Sequence, residues 1–122
     1  MARKKFDSPQ SFRDGLVRRL KAIKSELGKK TDAEMAEFLG IGRGTWYNWE
    51  HAENRPDPWH MARLCAATKD RIDLDYIYRG IFTSVETGLA IRLMAREIGL
   101  DPDAEDFLDM REAVALKVSA RV

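Results

Sequence analysis

The sequence predicts an all-α fold, a five-helix unit followed by a C-terminal helical extension, and three observations carry that reading. Apolar residues recur at helical spacing along most of the 122 residues. Helix start and stop residues punctuate those stretches. No segment alternates apolar and polar residues in the manner of a strand.

Residues 1–11 read as a basic N-terminal arm, with Arg3, Lys4 and Lys5 near its start. A first helix is expected over Phe12–Leu27, where Phe12, Leu16, Leu20, Ile23 and Leu27 share one stripe and Gly28 stops the helix. The second, about Asp32–Leu39, opens on Thr31 with Glu34 three residues later, a capping box. Met35, Phe38, Leu39 and Ile41 then face inward. Gly40 ends this helix because glycine takes the left-handed backbone at little cost, and the small Ala36 lets a neighbouring helix approach closely. Trp46 and Trp49 supply apolar contacts from a third helix, about Arg43–His51. Two helices across so tight a turn form a helix-turn-helix.

Asp57 and Pro58 open a fourth helix to Thr68, and a short fifth covers Leu74–Tyr78 and ends at Gly80. Residues 12–80 are therefore expected to close a core of their own. In residues 81–122, Thr83 and Glu86 repeat the capping-box spacing before a helix to Ile98. Asp101 and Pro102 open a last helix whose Phe107, Met110, Val114 and Val118 form an apolar stripe, with acidic residues near its start as the helix dipole prefers. That stripe is expected to pair with a second copy and make a homodimer.

Charge is segregated despite a net value of +1: residues 1–30 hold ten Lys or Arg against three Asp or Glu, 31–80 six against nine, and 81–122 five against eight. A basic N-terminal end beside a helix-turn-helix suits a polyanion. No segment reaches the roughly 18 apolar residues of a membrane span, and the charged N-terminus has no following apolar region, so the expected location is the cytoplasm. Cys65 stands alone within an apolar helical pattern and reads as a buried thiol. His51 and His60 lack neighbouring ligands at metal-site spacing. No catalytic arrangement, phosphate loop or cofactor motif stands out, so the expectation is a protein that is not an enzyme and uses no cofactor or metal.

On the Ala36, Gly40, Trp46 and Trp49 framework, the WEHAENRPDP segment and LDYIYRG at 74–80, residues 12–80 resemble the phage lambda repressor-like, or xenobiotic-response-element, family of DNA-binding domains. Gly42 stands where that family most often opens the third helix with serine or threonine, and Trp46 where it has an aliphatic residue. The resemblance implies a lambda repressor-like five-helix fold and a third helix whose exposed positions contact bases.

The residues themselves assign that face. Trp46 and Trp49 are three apart and turn inward, which leaves Gly44, Tyr47, Asn48 and His51 on the opposite side with Arg43 on the shoulder. Arg43 suits a bidentate contact to guanine, Asn48 one to adenine, and Tyr47 a phosphate or a thymine methyl. Gly44 allows close approach to the groove. Lys29, Lys30 and Thr31 before the second helix, Thr45, and Asn54 with Arg55 after the third are candidate phosphate contacts. The expectation is a bacterial or phage transcription regulator that binds double-stranded operator DNA as a homodimer, most simply a repressor. The alternative is an antitoxin that binds its own promoter and neutralises a toxin through residues 81–122.

Overall fold

The computed structural model describes residues 8–122, in which Ser8 and Pro9 decide where the first helix begins. The Ser8 hydroxyl accepts a hydrogen bond from the Ser11 N–H at 3.0 Å, and Pro9, with its fixed φ, takes the first helical position. Helix α1 (Pro9–Glu26) thus starts three residues earlier than the apolar stripe alone predicts. Phe12, expected inward, lies in the first turns and is exposed. Arg3, Lys4 and Lys5 of the arm lie outside the described residues.

Helix α2 (Asp32–Leu39) is capped as its sequence indicates, since the Thr31 hydroxyl accepts from the Glu34 N–H at 3.1 Å. The Glu34 carboxylate reaches back one residue further than the motif implies, to the Lys30 N–H at 2.9 Å. Gly40 closes the helix at φ +70°, and the Ile41 N–H then donates to the Ala36 carbonyl at 2.9 Å, so the chain turns directly into α3 (Arg43–Glu50). Gly42 caps α3 with no side-chain bond. Asp57 and Pro58 open α4 (Pro58–Ala67), and Asp73 caps α5 (Leu74–Arg79), which ends on left-handed Gly80.

Two expectations for residues 81–122 are corrected. Helix α6 (Thr87–Glu97) is not capped by Thr83; the Glu86 carboxylate itself accepts from the Gly88 and Leu89 N–H groups at 2.8 and 2.9 Å, so one carboxylate serves two orphan donors. No helix opens at Asp101 and Pro102 either. The Asp101 side chain accepts from the Asp103 N–H at 2.9 Å, a local turn that competes with helix formation, and the chain continues through a short 3₁₀ helix (Glu105–Asp109) into α7 (Arg111–Ser119).

Among the described residues the fold is all-helical. One apolar cluster runs through it, from Leu20 and Ile23 of α1, Met35 of α2 and Trp46 of α3 to Leu64, Ile77, Leu93 and Val114. The most extensive helix pairing is α1 against α6. Residues 81–122 therefore pack on the helices before them and share one apolar cluster with them. The stripe assigned to dimerisation has its place here as well: Phe107, Val114 and Val118 are buried within this chain, and Met110 is half-buried. Helix α6 found α1 and α7 found α6, because packing inside the chain costs no association entropy.

Polar bonds seal the same junction. Glu97 of α6 has its carboxylate buried and receives Tyr76 Oη at 2.8 Å, Arg18 Nε at 3.2 Å and the Arg121 guanidinium at 3.1 and 3.2 Å. Arg121 also donates to the Gly80 carbonyl at 2.7 Å and lies 4.6 Å from the Phe82 ring centroid. Arg19 spans from α1 to the Ile77 and Tyr78 carbonyls at 2.8 and 3.0 Å. Every donor brought to this interior has an acceptor, which is the condition for burying charge.

Candidate nucleic-acid interface

The outward face of α3 is defined by what anchors its inward face. Trp46 is fully buried, Trp49 nearly so, and the two rings meet edge to face with centroids 5.7 Å apart. Glu50 is buried beside them. Its carboxylate accepts a hydrogen bond from Trp46 Nε1 and another from Lys24 Nζ of α1 at 2.6 Å; Lys24 also reaches Asp32 of α2 at 3.0 Å. One ammonium therefore ties α1, α2 and α3 together. Burial alone lowers the Lys24 pKa and raises that of Asp32, but the hydrogen bonds that join Lys24, Glu50 and Asp32 outweigh it, so the ammonium ends above and the Asp32 carboxyl below the ordinary value.

With that side fixed, Arg43, Gly44, Tyr47 and His51 are exposed and Asn48 is half-buried. A Cβ added at Gly44 would meet nothing within 4 Å, so the protein's own packing does not require glycine there. A cleft of about 440 Å³ lies between the start of α2 and the first turns of α3, lined by Thr31, Asp32, Ala33, Arg43, Gly44 and Tyr47. Three of the proposed base contacts and one proposed phosphate contact thus share a single concavity. Asp32 would repel an anion there, and Lys24, which it shares with Glu50, offsets only part of that charge.

His51 is arranged differently from its neighbours. Its ring stacks on Tyr47 at 3.9 Å between centroids, and its Nδ1 lies 2.8 Å from the Tyr47 carbonyl. The pair offers one flat aromatic surface rather than two independent side chains.

The remaining candidates fall into two places. Lys30 and Thr31 are exposed at the start of α2, while the Lys29 ammonium lies 5.1 Å from the Phe38 ring centroid, a cation–π distance. Thr45 is half-buried in the first turn of α3. Asn54 and Arg55 are exposed beyond the other end of α3, where they line a separate cleft of about 320 Å³ with Arg13 of α1. Sequence reasoning left out Arg13; its only signal was the excess of basic residues before position 30. It left out Glu50 too, because a lone glutamate in a helix carries no mark of burial.

Elsewhere, Cys65 is a buried free thiol whose pKa burial pushes up to about 11, with Asp73 and Asp70 acting in the same direction. His60 Nδ1 lies 2.6 Å from the Asp57 carboxylate, which also caps α4, and hydrogen bonds from the His60 backbone and ring hold Asp57 below its ordinary pKa. Among the described residues no three His, Cys, Asp or Glu side chains group as metal ligands, and no helix is long and apolar enough to cross a membrane. Comparison with protein-family models, curated proteins and solved structures finds no match for this chain.

Proposed function

We propose that this chain is a sequence-specific, double-stranded DNA-binding transcription regulator of the lambda repressor-like kind, a repressor that occupies a palindromic operator as a dimer. The observation that carries this reading is the two-sidedness of α3. Trp46, Trp49 and Glu50 bind it rigidly to α1 and α2, while Arg43, Gly44, Tyr47 and Asn48 stand together on its other side. Base readout needs side chains whose backbone is held in register, because a donor displaced by an ångström loses its bond.

Each group then has a chemical task. Arg43 presents a planar fork to guanine O6 and N7, and Asn48 an amide to adenine N6 and N7. The Tyr47 and His51 surface packs on a thymine methyl or a sugar. Lys29, Lys30, Thr31, Thr45, Asn54 and Arg55 set position through phosphates, and Arg3, Lys4 and Lys5 follow the backbone beyond the helix. Repression needs nothing further, since an occupied promoter excludes polymerase.

Selection of binding sites from random duplex DNA tests the reading. The expected result is one enriched motif, repeated with two-fold symmetry at a spacing near one helical turn, roughly 34 to 36 Å. Recovery of unenriched sequence, or no retained DNA at low salt, overturns it.

A further inference from the structure

Helix α4 touches α2 and α5 on its inner side and leaves its outer face bare. On that face Trp59 is 68% exposed, the largest aromatic surface the described chain gives to water. Ala62 and Ala66 follow it at i+3 and i+7, both exposed. Arg63 does not cover them. Its guanidinium lies over the Trp59 ring, 6.0 Å from the centroid, and turns toward Gly40, where an added Cβ would come within 3.2 Å of Nη2. The face thus carries one large aromatic residue at its start and a pair of shallow sockets beyond.

We propose that this face binds a second copy of the same chain, with the two α4 helices packed antiparallel about a two-fold axis that passes near Ala62. The shape is self-complementary. In that arrangement Trp59 of each copy lies over the Ala66 socket of the other, and the two Ala62 residues meet at the crossing, where only methyl groups must be accommodated. The ends are complementary as well. Asp57 is exposed at the start of α4, whereas Lys69 and Arg71 outnumber Asp70 just past its end, so each acidic start meets the other copy's basic end. An aromatic anchor seated in a small-residue pocket is the usual centre of a protein interface. The C-terminal stripe does not compete for this role, being buried inside the chain. The pairing concerns the free protein and stands whether or not the DNA reading holds. If both hold, it supplies the dimer that a palindromic site requires.

Sedimentation of the full-length chain without DNA, over a range of concentrations, is the first measurement. A monomer–dimer equilibrium is expected, and Trp59→Arg and Ala66→Arg should each weaken it at least about tenfold while leaving the thermal transition cooperative. The geometry is tested by Ala62→Cys with mild oxidation. A disulfide-linked dimer is expected from this variant and not from Ala67→Cys, five residues on and about 140° around the helix; the native Cys65 is buried and does not compete. A chain that stays monomeric at all concentrations, or a dimer indifferent to both arginine substitutions, overturns the proposal. So does equal cross-linking at positions 62 and 67.

Discussion

Lys24 Nζ of α1 and Glu50 Oε2 of α3 lie 2.6 Å apart beneath the candidate recognition surface. The indole N–H of Trp46 donates to the same Glu50 carboxylate. Glu50→Ala would take from the Trp46 indole its acceptor and from Lys24 the nearer of its two carboxylates, in a site mostly closed to water. Loss of about 3 kcal/mol of unfolding free energy is expected, as for removal of one partner from a buried ion pair, and urea denaturation measures it. Glu50→Ala combined with Lys24→Met should cost less than the sum of the two single substitutions, because both remove the same Lys24–Glu50 bond.

The same cluster sets a pH dependence. Asp32 is held below its ordinary value of 3.8, so its share of the stability is fully present above that value and is lost as pH falls through the lowered folded-state pKa. Lys24 is raised above 10.5, and its share is present below 10.5 and lost only as pH rises through the higher folded value. Between those limits the shares of Asp32 and Lys24 are constant. Asp32→Asn should therefore flatten the acid limb of stability below about pH 4, and chemical denaturation at a series of pH values checks it.

Residues 81–122 are expected to be required for folding. Removing them strips α6 from α1, takes Phe82, Leu93 and Val114 out of the shared apolar cluster, and leaves Arg18 and Tyr76 without Glu97. A chain ending at Gly80 should show no cooperative thermal transition by circular dichroism. A milder change isolates the polar seal. Arg121→Ala removes bonds to Glu97 and the Gly80 carbonyl and should cost about 2 kcal/mol, given that hydrogen bonds to charged groups are worth roughly 1.5 to 3.

These results mark how far the sequence could be read. The helix-turn-helix was legible because its signals are local: Thr31 and Gly40 act on backbone groups within four residues, and the two tryptophans fix a face by spacing alone. The start of α1 was missed because an apolar stripe reports packing, whereas Ser8 and Pro9 set the boundary by capping. The fate of Phe107, Val114 and Val118 was illegible for a different reason. An amphipathic stripe states that something must cover it and not whether the cover comes from the same chain, and α6 meets this one only once the fold has closed. Glu50 and Glu97 were likewise hidden, since their burial depends on cations and donors brought from 26 and from 21 to 79 residues away.

The arm carries its own prediction. Deleting residues 2–6 removes Arg3, Lys4 and Lys5 and should weaken DNA binding and flatten its dependence on salt, each lost phosphate contact lowering the logarithmic slope by about 0.9. Titrations at several salt concentrations report the slope directly.

Affinity of the wild-type chain, Arg43→Ala and Asn48→Ala for the selected duplex and for a scrambled duplex of the same length bears most directly on the role of α3. Each substitution should cost about 1 to 3 kcal/mol on the selected site and leave the scrambled duplex nearly unchanged, with specificity relaxed at one base position per variant. Equal losses on both duplexes, or no loss on either, would contradict base readout by this helix.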